Sequence, residues 1–127
     1  MTIAMVLSGE KEIIVPIVEG EVIRLYDIET GDVEDFENPA LKLQSGKRGA
    51  VIRWLHDRGV KILCAPPSML CELSYGAAQK ENFCYYRIQN NISFSDLKGL
   101  IANNSLELTE ELPGNEIEPS IVPEAAK

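Results

Sequence analysis

Three cysteines, one histidine and a glycine-flanked pair of cations are the residues of this 127-residue chain whose types and spacing could do chemistry. Cys64 ends the apolar run Val60-Lys61-Ile62-Leu63-Cys64, and Ala65-Pro66-Pro67-Ser68 follows. A cysteine at the carboxyl end of a parallel strand lies where open α/β sheets hold their ligands. A helix beginning just beyond it favours the thiolate, which is the form that binds metal or cluster iron. Ser68 would then be a hydrogen-bonding neighbour. The bland alternative is a small buried hydrophobe, because free cysteine is among the most buried residue types. Gly46-Lys47-Arg48-Gly49 opens a helical stretch, so its amides and two cations could cradle a small anion. It is not a phosphate-loop signature, which needs a longer glycine frame ending in Gly-Lys-Ser/Thr. A plain helix start with solvated charges is the alternative, and Arg53, Arg58 and Lys61 could be a basic patch or an ordinary charged face.

The other reactive residues carry less. Cys71 lies in the stretch expected to be the second helix, and Cys84 alternates within a strand beside Tyr85 and Tyr86, so core packing is expected for both. Cluster and zinc sites usually come with close Cys-x-x-Cys pairs, and none exist here. His56 is the single histidine. Its helical position turns it outward, away from Cys64, which excludes a cysteine–histidine hydrolase. Asp27 has no second and third acid converging with it, which excludes a two-metal nuclease. No catalytic residue is assigned, and a non-enzyme is expected.

Composition narrows the class further. Hydrophobic residues make up 45% and charged residues 25% of the chain, as in an ordinary soluble domain. No apolar run is long enough to span a bilayer, and Met1–Leu7 lacks the form of a signal peptide. An odd cysteine count without metal-type pairing fits a reducing, cytoplasmic setting. The net charge is −8, and from Glu107 onward six acids and one lysine supply −5 of it. An acidic chain without clustered cations is poorly suited to nucleic acid.

The elements that must position these residues follow from pattern. Met1–Leu7 and Val22–Ile28 carry apolar residues on both faces, as strands in a covered sheet do. Gly31 marks a tight hairpin into Val33–Phe36, an edge strand whose acids discourage further pairing. Ile13-Ile14-Val15 is broken by Pro16 and reads as irregular or edge. A helix is predicted from Lys47 to Arg58, with Val51, Trp54, Leu55 and Arg58 on one side and Gly59 as its left-handed stop. Val60–Ala65 and Phe83–Ile88 read as strands, and a second helix is predicted from Pro67 to about Lys80. Met69, Leu70, Leu73 and Tyr75 on that helix could form a partner surface or pack on the sheet. Ser93 and Asp96 form a capping box ahead of a last helix. The prediction is α/β: a five-stranded mixed sheet with helices on both faces and right-handed crossovers. Residues 1–108 form the domain, and 109–127 are an acidic disordered tail.

In order and local wording, the chain resembles the dinitrogenase iron–molybdenum cofactor biosynthesis family, of the NifX and NifB C-terminal type. The words that carry the resemblance are Leu25-Tyr26-Asp27-Ile28-Glu29-Thr30-Gly31-Asp32-Val33, Glu37-Asn38-Pro39-Ala40, Gly46-Lys47-Arg48-Gly49, Gly59-Val60-Lys61-Ile62-Leu63-Cys64 and the helix of Ser93–Asn103. The resemblance implies a ribonuclease-H-like fold. It also implies a role in binding or carrying iron–sulfur or iron–molybdenum cluster precursors rather than catalysis. The Cys-x-x-x-Ser word of some relatives matches Cys64 and Ser68. Two departures stand out: Pro16-Ile17-Val18-Glu19 where many members have a His-Phe-Gly-Arg-like word, and Pro66-Pro67 where many have paired glycines.

Two expectations follow. The first is a carrier, monomer or homodimer, holding a metal cluster or small anionic ligand with Cys64 as ligand, Ser68 beside it, and Gly46, Lys47, Arg48 and Gly49 as the anion cradle. The second is a divergent member without cofactor, acting on a protein partner as an interaction or regulatory module. Neither involves nucleic acid or membrane.

Overall fold

The structure, a computed structural model, describes residues 1–120. The elements are β1 (Thr2–Ser8), β2 (Ile13–Ile14), β3 (Val22–Asp27), β4 (Val33–Glu37), α1 (Lys47–Asp57), β5 (Ile62–Ala65), α2 (Glu72–Lys80), β6 (Cys84–Arg87), α3 (Phe94–Ala102) and β7 (Leu108–Thr109). They form one mixed sheet in the order β4-β3-β1-β5-β6-β7, with β2 beside the end of β1. The β1–β5 and β5–β6 pairs are parallel, and the β1–β3, β3–β4 and β6–β7 pairs are antiparallel. The α/β class and the mixed sheet are as the sequence predicts. The sheet has seven strands instead of five because β2 and β7, two residues each, are too short to show a period in the sequence.

Strict alternation along the central strands sorts their side chains into two cores. Ala4 and Val6, Ile23 and Leu25, Leu63 and Ala65, and Tyr85 face α1 and α2, where Val51, Ile52, Leu55 and Ala78 meet them. Ile3, Met5, Leu7, Tyr26, Cys64 and Tyr86 face the other way, toward Phe94 and Leu97 of α3. Helices therefore cover both faces. Among the described residues no helix is long and apolar enough to cross a membrane.

Local signals of the expected kind set several boundaries. Gly59, at φ +72°, stops α1, and Gly31, at φ +81°, turns the β3–β4 hairpin. The Ser93–Asp96 capping box is present with both bonds made. Arg58 stacks 3.7 Å from the Trp54 ring centroid, and Trp54 meets Phe36 edge-on at 5.0 Å. Arg58 thus lies over an aromatic wall rather than in a free basic patch.

Two expectations are corrected. The second helix begins at Glu72, not Pro67, because Ser68 takes the left-handed φ of +69°, which a helix does not include. Residues 66–70 instead form a turn closed by the Met69 amide on the Pro66 carbonyl, and Met69 and Leu70 are fully buried. That leaves Leu73, at 74% exposure, as the single open apolar side chain of the four considered for a partner surface. The second correction concerns the start of the tail. Residues 109–120 pack on the domain: β7 pairs with β6, Leu112 is buried, Ile117 packs on the core, and Arg87 pairs with Glu116. Glutamate and proline content hides these few apolar anchors, and two or three suffice to dock a short segment. The rest of the expected tail, 121–127, lies outside the described residues.

One charged residue is built into the α3 face. Arg24 of β3 is 8% exposed, and its Nε and Nη2 donate to both carboxylate oxygens of Asp35 at 2.7 and 2.8 Å. Nη2 also reaches Glu12 at 2.8 Å, and the guanidinium lies 4.7 Å from the Phe94 ring centroid. Hydrogen bonds from Arg24 hold the Asp35 carboxyl below the usual carboxylate range, against the opposing effect of burial. A lowered folded pKa contributes stability that is present above the unfolded value and is lost as pH falls through the folded one. Urea midpoints of the native protein should therefore drop faster below about pH 4 than those of Arg24→Met. Parallel acid limbs for the two proteins would refute this.

Candidate functional site

The start of α1 and the start of α2 flank a cavity of about 570 Å³. Gly46 precedes α1 at φ +66°, and no side chain caps the helix there. The first amides of α1 are therefore open at its positive end, where anions bind. Lys47, Arg48 and Gly49 line the same wall. Arg48 reaches across the gap, its Nη2 donating to the Ser68 carbonyl at 3.4 Å, while its Nε is buried without a partner. An orphaned buried donor of this kind calls for an acceptor that the protein does not itself supply.

The opposite wall carries Cys71, which is the residue that caps α2. Its amide donates to the Ser74 hydroxyl at 2.9 Å, and the Ser74 hydroxyl donates to the Cys71 carbonyl at 3.1 Å. The thiol sulfur lies 3.2 Å from Ser74 Oγ. Burial works to raise the thiol pKa. Hydrogen bonds from the Ser74 hydroxyl and amide, the Ser120 hydroxyl and the Leu73 amide outweigh it, and the thiol is held below its ordinary value. A partly exposed thiol so placed at a helix amino terminus is chemically available, unlike the fully buried Cys64.

Cys64 does not join this site. Alternation along β5 turns it to the α3 face, where it is fully buried among Ile3, Met5, Tyr86 and Leu97. Burial pushes its pKa up to about 12, the reverse of what a ligand thiol needs. Gly46, Lys47, Arg48 and Gly49 line the cavity, and the thiol that lines it with them is Cys71. Ser68 stands at the edge, tied to the cavity through Arg48 and donating its hydroxyl to Glu118 at 2.6 Å. The signal that could have found Cys71 is present in Cys71-Glu72-Leu73-Ser74, a capping box with cysteine in the place of serine. The expected helix start at Pro67 concealed it.

The other candidates remain apart. Cys84 is half-buried in β6, and His56 lies 3.3 Å from Glu81. Asp27, Asp32 and Glu34 line a separate concavity below the hairpin. Among the described residues, no three His, Cys, Asp or Glu side chains converge as metal ligands. That tests the cluster implied by the resemblance: the described residues do not supply the several thiolates on which a protein-ligated iron–sulfur cluster is assembled.

The mixed sheet and its strand order can be set against proteins of known structure. The apo form of the orange protein from Desulfovibrio gigas superposes with a TM-score of 0.71, covering 85% of this chain and 92% of that one at 13% identity. The fold is that of the orange protein. A NifB-type protein from Thermotoga, of the DUF35 family, superposes with a TM-score of 0.67 over 88% of this chain and 96% of its own, at 20% identity. At these identities the likeness shows the fold alone. No protein-family model matches the sequence, and no curated protein does.

Proposed function

We propose that this protein is a non-enzymatic carrier of a small anionic group, held in the cavity between the starts of α1 and α2. The observation that carries the reading is the convergence, around one 570 Å³ space, of the uncapped α1 terminus, Lys47, Arg48 with its unpartnered Nε, and Cys71. Amides and cations bind anionic charge without reacting with it, and a single soft thiol gives one contact to metal or sulfur. Such a lining suits a preformed metal–sulfur cargo better than a cluster built on protein ligands. The cargo class is an iron–sulfur or iron–molybdenum cluster precursor. The cofactor-biosynthesis resemblance, the NifB name of one structural neighbour and the apo form of the other support it. A second reading, docking of a protein partner, is favoured by Leu73 and Val18, 74% and 39% exposed on the cavity wall.

Anaerobic loading with a preformed anionic iron–sulfur cluster capped by small thiolates, followed by desalting, visible absorption and iron counting, tests the first reading. The native protein and Cys64→Ala should retain the same chromophoric iron, because Cys64 only packs. Cys71→Ala and the pair Lys47→Gln with Arg48→Gln should lose it. Iron absent from the native protein, or equally present in Cys71→Ala, would refute the carrier and leave the partner surface.

A further inference from the structure

The amino terminus of α2 differs from that of α1 because another part of the chain already occupies it. The Glu72 amide donates to the Glu118 carbonyl at 2.9 Å, and the Leu73 amide to the Ser120 hydroxyl at 3.0 Å. These amides would point at an anion in a helix-start site. The same segment adds two more backbone bonds beside them, Ser68 amide to Glu116 carbonyl and Glu118 amide to Leu70 carbonyl, each 2.9 Å. Cys71 and Glu118 form a parallel bridge, and the Ser120 amide donates to the Glu72 carboxylate at 3.1 Å. Residues 116–120 therefore lie along the turn and the α2 start as a strap. Glu118 and Ser120 both line the cavity, and the Glu118 carboxylate adds negative charge to it.

The strap has the form of a detachable element. Upstream, Leu112 is buried and its amide donates to the Tyr75 hydroxyl at 3.1 Å, so the chain is anchored as far as Pro113. Beyond Pro113 the apolar anchor is Ile117, half-buried, and the polar hold is Arg87 on Glu116, with Nε–Oε1 at 3.0 Å. The side-chain bonds of Ser68, Glu72 and Ser120 that hold the strap are exposed, as in segments that open locally while the core stays folded.

We infer that residues 116–120 are a built-in competitor for the cargo cavity, and that their release uncovers Cys71 and the first amides of α2 and so completes the binding site. This rests on the carrier reading for what enters the cavity. The opening itself is independent of that reading. An incoming anion and the strap compete for the same two amides, so strap attachment and cargo binding are mutually exclusive and each weakens the other.

The test uses the full chain and needs no cargo. Hydrogen exchange on the native protein should show the amides of Ser68, Glu72, Leu73 and Glu118 exchanging together, at least tenfold faster than the central amides of β1 and β5. Iodoacetamide labelling, resolved by peptide mass, should show Cys71 reacting at least fivefold faster in Glu118→Pro and in the pair Arg87→Gln with Ser120→Ala. Cys64 should stay unlabelled in both, reporting an intact core. Exchange of the four amides only with the core, or an unchanged Cys71 rate in folded variants, would overturn the strap. Loading with the same preformed iron–sulfur cluster is read separately. If the native protein and both variants retain no iron while the strap opens as described, the carrier reading fails and the strap stands.

Discussion

Replacing Asn38 by alanine is expected to lower the stability of this protein by about 3 kcal/mol, with three buried polar groups losing their partner. Asn38 is fully buried at the junction that precedes α1. Its Nδ2 donates to the Ile17 and Gly20 carbonyls, both at 2.9 Å, and its Oδ1 accepts from the Ala40 amide at 2.9 Å. One side chain thereby staples residues 17–20 to residues 38–40, and both segments supply core residues, Ile17 and Ala40, beneath α1. Each unsatisfied buried group costs roughly 1–3 kcal/mol, and natural domains have only about 5–15 kcal/mol in all. Asn38→Asp keeps the size and the Ala40 bond but sets a carboxylate oxygen against two carbonyls, so it should be at least as damaging. Urea unfolding monitored by Trp54 fluorescence measures both. A loss below about 1 kcal/mol in Asn38→Ala would show that solvent reaches the three groups.

Gly20 explains why this junction admits so little change. A Cβ there would lie 2.5 Å from Val6 Cγ1 and 2.7 Å from the Leu7 carbonyl oxygen. The Gly20 backbone is pressed on β1, and the Asn38 side chain satisfies its carbonyl together with that of Ile17.

The second large effect is chemical. In native buffer at pH 8, Cys71 should be alkylated at least about a thousandfold faster than Cys64. With its pKa pushed up to about 12, the Cys64 thiol is ionised in about one molecule in ten thousand at that pH, and its complete burial adds a steric barrier. Cys71 is partly exposed, and its hydrogen bonds favour the thiolate. The difference should collapse in urea, where both become ordinary cysteines. Peptide mapping by mass after timed labelling reads the two rates. Comparable labelling of Cys64 in the folded protein would contradict the assignment of the two cores.

Much of the fold was legible because it is written in short-range patterns. The apolar runs of Met1–Leu7 and Val22–Ile28, the glycines at 31 and 59, and the Ser93–Asp96 box each act over a few residues, and each appears where the pattern puts it. Half of the site was legible for the same reason: a glycine before two cations opens α1 whatever packs around it. The thiol was not. The position of Cys64 at a strand end is local, but the side it faces depends on the phase of β5 within the sheet. A one-residue difference in that phase exchanges the two cores. The prolines at 66 and 67 read as a helix start, while the left-handed Ser68 and the burial of Met69 and Leu70 deferred it to Cys71.

The sequence by itself determined the α/β class, the order of the elements, the hairpin, the caps and the cationic helix start, because hydrophobic period and turn chemistry are properties of neighbouring residues. The tertiary structure alone decided that Cys71 rather than Cys64 faces that helix start, and that residues 116–120 lie across the α2 terminus. Both facts are long-range contacts, between residues 20 to 50 positions apart. They are set by how the helices and the C-terminal segment pack on the sheet, which no local pattern of the chain encodes.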